Sequence, residues 1–226
     1  MKTKKTICIL SGGLDSTTLL YRLLKDPNRH VKREVKAISF NYNQKHKIEL
    51  LAAHLTCDKL GIEHKVIDVS FLKDLLSNSA LTSDMPVPEG HYESESMKQT
   101  VVPNRNMIMA AIAIGYAVNE DYNEIALGVH AGDHAIYPDC RPEFVAALRK
   151  IAKIANFEPI EVYAPYLHKD KGDIVIEGTK LGVMYEYTHT CYNGEQIPCG
   201  KCGACQERAE AFAKAKRSDP LLNKSL

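Results

Sequence analysis

Two glycines set among hydroxyls and a carboxylate, Ser11-Gly12-Gly13-Leu14-Asp15-Ser16, lie between an apolar run, Thr6 to Leu10, and an amphipathic stretch that begins at Thr17. Strand, glycine turn and helix start, in that order, make a phosphate site. The glycines let the backbone turn sharply with no side chain in the way, so several N–H groups can face one anion. The helix behind adds unpaired amide donors and the positive end of its dipole. Asp15 or Ser16 is expected to cap that helix, and the Ser11, Ser16 and Thr17 hydroxyls are within reach of phosphate oxygens. Leu10, Leu14 and Thr18 complete the stretch expected around the phosphates. No G-x-x-x-x-G-K-S/T occurs in the chain, so this is not a Walker A loop.

A second cluster lies near the other end. Cys191, Cys199, Cys202 and Cys205 are close in sequence, and Gly194, Gly200 and Gly203 supply sharp turns between them. Four thiolates at this spacing suit tetrahedral zinc. The C-x-x-C-x-x-C portion also matches half of a ferredoxin pattern, but the fourth cysteine is upstream and no C-P follows, which favours structural zinc over an iron–sulfur cluster. The polar flanks Tyr192, Asn193, Glu195, Gln196 and Lys201 argue against unliganded core cysteines. Cys8, Cys57 and Cys140 can be ordinary core or loop thiols.

Between these clusters lie three further groups of polar residues. Arg105 and Asn106 stand at the mouth of an apolar helix, where the dipole disfavours a cation, so an anion-binding role is favoured for Arg105 over plain surface charge. Val129 to Arg141 carries two histidines, two aspartates, a cysteine and an arginine at spacings that match no standard metal pattern. Contacts to substrate or magnesium, or plain loop polarity, are the readings left open there. Lys171, at a helix start beyond a strand, is either solvated or neutralises a phosphate.

The elements that must carry these residues alternate. Thr17 to Lys25 reads as a helix stopped at Asp26-Pro27-Asn28, and Glu34 to Phe40 as a strand that runs into Asn41-Tyr42-Asn43-Gln44-Lys45-His46. Helix 46–60, strand 63–69 and a short helix near Phe71 complete three β-α units. Residues 77–100 show no apolar periodicity and read as a lid, a binding loop or a mobile segment. Met107 to Val118 is apolar all round and is expected to be a buried helix. Strand 124–128, a helix from Pro142 to about Ala155, strand 160–164 and a helix closing near Gly182 follow, with a last helix from Cys205 to about Arg217. The fold class is α/β, a doubly wound, mostly parallel sheet flanked by helices, with ligands beyond the carboxyl ends of its strands. An α/β domain over 1–182 and a small zinc-binding lobe over 183–226 are expected.

At 226 residues and 45% hydrophobic content the chain can bury a real core. With 29 basic against 28 acidic residues the net charge is +1, which marks no dedicated nucleic-acid surface and favours a small-molecule substrate. No uninterrupted apolar run approaches membrane-spanning length, and the lysine-bearing start, Met1 to Lys5, is followed by too few residues before Ser11 for a signal peptide. Seven cysteines, an odd number, fit a reducing cytoplasm better than a disulfide framework.

The first of these motifs, Ser11 to Ser16, resembles the S-G-G-x-D-S pyrophosphate loop of the N-type ATP pyrophosphatases, which characteristically cleave ATP between its α and β phosphates and adenylate a substrate oxygen. Taken with Y-N-Q-K-H at 42–46, P-N-R-N at 103–106, Y-P-D-C-R at 137–141 and the four cysteines, the chain from about Ile7 to Arg208 resembles the 7-cyano-7-deazaguanine synthase family of queuosine biosynthesis. The resemblance implies an adenine-nucleotide α-hydrolase-like fold. It also implies conversion of 7-carboxy-7-deazaguanine and ammonia to the nitrile at the expense of ATP and Mg²⁺, one structural zinc per chain, and a cytoplasmic homodimer with no direct nucleic-acid or membrane partner. On that footing Asp15, Lys171 and Arg105 are expected at the chemistry, with Lys171 a phosphate cation and Asp15 or Asp133 holding magnesium. Gln44, Arg105, Asn106, Asp133, Asp139 and Arg141 are expected on the substrate. Asn104 stands where the family often has glycine, and residues 77–100 match no family motif. The alternatives are a tRNA-thiolating enzyme of the same superfamily and a nucleotide-binding module without catalysis.

Overall fold

The computed structural model describes residues 3–25 and 32–222, so the helix stop expected at Asp26-Pro27-Asn28 lies outside the described residues. The five apolar runs form strands β1 (Lys4–Ile9), β2 (Arg33–Asn41), β3 (His64–Asp68), β4 (Glu124–Ala126) and β5 (Glu161–Tyr163). They pair in the order β3-β2-β1-β4-β5, every neighbouring pair parallel, as a doubly wound sheet requires. Between β1 and β4 the direction of winding reverses, and a crevice opens beyond the strand ends at such a point. The glycine loop after β1 sits there.

Seven helices, α1 (Leu14–Lys25), α2 (Ile48–Leu60), α3 (Leu72–Leu75), α4 (Arg105–Asn119), α5 (Pro142–Ile154), α6 (Lys171–Leu181) and α7 (Gly203–Lys214), cover the sheet among the described residues. Successive strand residues face opposite sides. Ile7, Ile38 and Ile125 therefore pack with Ala110, Ala113 and Ala117 of α4 and with Val145 and Leu148 of α5. Cys8, Ala37 and Ala126 pack with α1, α2, α6 and α7 through Leu19, Leu20, Ala53, Ile174, Val175 and Phe212. Tyr185, Ala211 and Phe212, from beyond residue 182, belong to that second core. The cysteines make a small apolar cluster with Val87 and Ala204.

Several local expectations need correction. Helix α1 begins at Leu14 rather than Thr17, so Asp15 and Ser16 lie in its first turn instead of capping it. Helix α4 is not buried all round: Ala111, Gly115 and Val118 are exposed, because only one side of the helix meets the sheet. By length and composition alone Glu95–Asn119 would suffice to cross a membrane. In the fold it is a 3-10 turn over Glu95–Thr100, an extended residue Val101, and then α4 against the sheet. Residues 77–100 are docked. Gly90 N–H donates to Lys201 O at 3.1 Å, Glu89 bridges Cys202, and Leu81 and Met97 are fully buried.

Candidate active site and metal centre

The glycine loop is shaped by close backbone approaches. Gly12 has φ +90°, and a Cβ there would lie 2.0 Å from the Glu49 carbonyl oxygen and 2.8 Å from Ala53 N, so α2 presses directly on the loop. On the other side a Cβ on Gly128 would meet Ser16 N at 3.2 Å, which brings the end of β4 against the start of α1. Ser11 N–H donates to Ser16 Oγ at 3.1 Å and Gly13 N–H to Ser11 Oγ at 3.2 Å. The Ser16 and Ser11 hydroxyls thus accept from two of the loop amides and lie 3.0 Å apart. Together these residues border a cavity of about 200 Å³.

One wall of the cavity is a network of charges. Lys171, at the first position of α6 behind an Asp170–Asp173 capping box, is only 6% exposed and pairs with Glu207 at 2.5 Å and Asp15 at 3.4 Å. His130 Nε2 lies 3.6 Å from Asp15 and 3.5 Å from Asp133, and Tyr92 donates to Asp133 at 2.8 Å. Burial opposes the charge of Asp15, but the Lys171 ammonium and then His130 outweigh it and hold the carboxyl well below the usual range. For Lys171 burial likewise opposes the charge, and Asp15, Glu207 and Asp133 raise its pKa above the ordinary value. His130 loses by burial and gains from Asp133 and Asp15, ending at about 9. Its Nδ1 accepts the Gly132 N–H at 3.1 Å, so the doubly protonated ring has to give up that bond. Asp15 Oδ1 is buried with no hydrogen-bond partner among the described residues.

The opposite wall is aromatic around one guanidinium. Arg105, in the first turn of α4, lies beside Tyr42, Cys140, Asp139 and Tyr192; burial opposes its charge and these neighbours raise its pKa. It enters no ion pair among the described residues. Tyr137 and Tyr192 hydroxyls are 3.2 Å apart, and Tyr192 comes within 3.5 Å of Tyr92, which closes the cavity on the cysteine side.

Ten of the residues expected from sequence border this cavity: Leu10, Ser11, Gly13, Leu14, Asp15, Ser16, Arg105, Asn106, Asp133 and Lys171. Six do not. Gly12 is turned to α2, Thr17 is fully buried, and the Thr18 hydroxyl donates to Leu14 O at 2.8 Å and meets the Tyr185 hydroxyl at 3.0 Å. Gln44 is spent on Phe40 O, Tyr42 N and Glu49. Asp139 accepts from Asn106 N at 2.9 Å, capping α4, and exposed Arg141 donates to His134 O at 2.8 Å. His46, Glu49, Tyr92, His189, Tyr192 and Glu207 were missed by sequence reasoning. Of these His46, inside Y-N-Q-K-H, and Tyr192, inside C-Y-N-G at 191–194, carried a local signal; the others arrive by packing.

The four cysteines of the C-terminal lobe converge, with all four Sγ atoms within 4.8 Å of one another and Cys199 4.0 Å from Cys205. A tetrahedron of thiolates at about 2.3 Å from one ion has edges of about 3.8 Å. Amides support the sulfurs: Cys199 N–H faces Cys191 Sγ, and Lys201 and Cys202 N–H face Cys199 Sγ, each at 3.4 Å. The donor set fits a single metal ion.

Comparison with known proteins bears on what this arrangement does. The model of the family described as queuosine biosynthesis protein QueC matches residues 5–216. The chain belongs to the QueC family. A curated relative, 7-cyano-7-deazaguanine synthase 1 of Colwellia psychrerythraea, is 51% identical over 218 residues, 96% of this chain and 98% of its own length. The synthase of Hahella chejuensis is 51% identical over 222 residues, 98% and 94% respectively. Among solved structures the U34-tRNA thiolase NcsA of Methanococcus maripaludis superposes with a TM-score of 0.52 at 16% identity, covering 100% of this chain and 75% of that one. That likeness concerns the fold alone. Membership of the QueC family agrees with the resemblance carried by the loop, the tyrosine-rich motifs and the cysteines.

Proposed function

We propose that the protein is a 7-cyano-7-deazaguanine synthase that uses ATP to turn 7-carboxy-7-deazaguanine and ammonia into the nitrile. The observation that carries this reading is the S-G-G-L-D-S loop, at the winding reversal of the sheet, sharing one cavity with Arg105, which enters no ion pair among the described residues. The amino end of α1 and the loop amides offer a cradle for the triphosphate, and Arg105 offers a fork for a carboxylate. The names of the curated relatives support the choice of substrate.

The chemistry follows from a poor electrophile. Oxide does not leave a carboxylate, so a carboxylate oxygen attacks the α-phosphorus of ATP, pyrophosphate departs, and the acyl adenylate forms. Ammonia attacks the acyl carbon and AMP leaves with the carboxyl oxygen, giving the amide. A second ATP adenylates the amide oxygen, and loss of AMP and the amide protons yields the nitrile. In each adenylation negative charge gathers on the departing pyrophosphate, where the Ser11 to Ser16 backbone and Lys171 stabilise it. Asp15 and Glu207 keep Lys171 in place, and His130 ties Asp15 to Asp133. Tyr92, Tyr137 and Tyr192 shield the adenylates from water. Asp139 acts on the substrate by way of Asn106, and Arg141 holds the same loop at the His134 carbonyl.

We assign Mg²⁺ to Asp15, whose orphaned Oδ1 suits a hard cation that would neutralise the phosphates. Zinc is assigned to Cys191, Cys199, Cys202 and Cys205, where it would hold the lobe together; sulfurs this close fit one ion better than a cluster with iron between them. The homodimer and the cytoplasmic location are proposed from the resemblance, and seven unpaired thiols accord with the latter. The deciding experiment incubates purified protein with 7-carboxy-7-deazaguanine, ATP, Mg²⁺ and ammonium and follows products by mass spectrometry. About two AMP per nitrile are expected, with the amide as a competent intermediate, and ADP with phosphate as the only nucleotide products overturns the reading.

A further inference from the structure

Glu49 and His46 line the cavity but have no place in the chemistry above. They stand at the amino end of α2, 9% and 6% exposed. Gln44, 1% exposed, donates through Nε2 to Phe40 O at 3.1 Å and to Glu49 Oε1 at 3.0 Å, while its Oε1 accepts from Tyr42 N at 3.0 Å. Because the strand backbone takes one donor and the acceptor, the amide cannot flip and Glu49 is held in one orientation. His46 Nε2 lies 3.5 Å from Glu49 Oε1, and His46 Nδ1 is buried with no partner among the described residues. Among the described residues Glu49 has no lysine or arginine in ion-pair contact, although Arg105 is near. This corner therefore offers acceptor atoms with capacity unspent.

The bland account is that Glu49 complements the dipole of α2 from its first turn. A solvent-facing glutamate would do so without desolvation, whereas here burial pushes the carboxyl up to about 7, against the lowering effects of Gln44 and Arg105. Helix capping does not explain that cost; a ligand bringing N–H donors would offset it. Phe40 and Tyr42, on the same side of the cavity, supply flat apolar surface for a ring. The Glu49 carbonyl also abuts Gly12, so the corner is tied through backbone to the phosphate loop.

We infer that Glu49 and His46 form the base-reading edge of the cavity, an acceptor pair for the amino and N–H edge of a purine-type ring, with Gln44 as the residue that positions Glu49. The inference rests on the adenylating reading above, and two rings in that reaction carry such an edge: the adenine of ATP and the deazaguanine. Binding rather than turnover separates them. Calorimetry compares ATP with purine riboside triphosphate, which lacks the amino group, and 7-deazaguanine with 7-deazahypoxanthine, which lacks it likewise. In one of these arms the unsubstituted protein should prefer the amino ligand by at least about tenfold, the worth of a hydrogen bond to a charged group. Glu49→Gln should cut that preference to within about twofold and leave the other arm unchanged. Gln44→Leu should do the same more weakly, with melting temperature and metal content retained. The arm that responds names the ring. A Glu49→Gln variant that keeps its preference in both arms, or that loses amino and amino-free ligands alike, overturns the inference. Should that variant fail to fold, absence of any amino preference in the unsubstituted protein overturns it as well. The ATP arm is informative even if the acid proves not to be the substrate.

Discussion

Replacing Lys171 by methionine isolates the charge wall from its shape. The ammonium is 6% exposed and stands between Glu207 at 2.5 Å and Asp15 at 3.4 Å, with Asp133 close behind His130. Without it three carboxylates converge on one imidazole. Breaking a buried pair from one side costs about 3–5 kcal/mol, and since the Asp15 side chain is 20% and that of Glu207 12% exposed, the lower end applies, about 3 kcal/mol. For a chain of this size that is a fall of roughly 6–12 °C in melting temperature. The sign of the pH dependence follows from the two acids. In the unsubstituted protein the depressed pKa of Asp15 gives stability that is present above the unfolded carboxylate range and lost as pH falls through the folded value. In Lys171→Met that gain disappears, and Glu207, whose pKa burial already raises, loses stability as pH climbs. The deficit should therefore be larger at pH 7.5 than at pH 5.5. Metal-replete protein unfolded in urea at both pH values measures it, and adding Glu207→Gln to Lys171→Met should return at least about 1 kcal/mol. A deficit below about 1 kcal/mol at pH 7.5, or one that does not change with pH, refutes the account of this wall.

Cys202→Ser removes one of four thiolates and should cost the bound metal and much of the soluble protein; a well-folded variant with one metal per chain by mass spectrometry would exclude Cys202 as a ligand. Gly12→Ala sets a Cβ 2.0 Å from the Glu49 carbonyl at φ +90° and should cost roughly 3 kcal/mol together with ATP binding, whereas Gly61→Ala, at φ +65° with open space around it, should cost only about 1 kcal/mol in the same denaturation assay. Glu49 has its carboxyl raised by burial from 4.5 to about 7, so its contribution to stability is whole below pH 4.5 and declines by about 3 kcal/mol as pH rises to 7, at about 1.4 kcal/mol per unit. Glu49→Gln should flatten that slope, and a stability profile unchanged by the substitution would contradict it.

What could be read from the chain alone was whatever depends on near neighbours in sequence. Apolar runs of strand length between helical periods imply a parallel α/β sheet, because the alternation leaves few other ways to bury both faces. The glycine loop and the four cysteines were legible for the same reason: turn chemistry and ligand spacing act over a few residues. Tertiary structure decided which side chains meet. Glu207 reaches Lys171 from α7, Tyr92 joins Asp133 and Tyr192 across a segment without periodicity, and Glu49 turns inward because Gln44 is fixed by the end of β2. Asp139 and Arg141 show the converse, since a motif that reads as ligand-binding spends its side chains on the Asn106 amide and the His134 carbonyl. Sequence spacing constrains residue type and local turn. The direction of a side chain at a loop is set by where packing holds the loop, and the contacts of Lys171 with Glu207, of Tyr92 with Asp133 and Tyr192, and of Asn106 with Asp139 join residues far apart in the chain, where no local pattern records them.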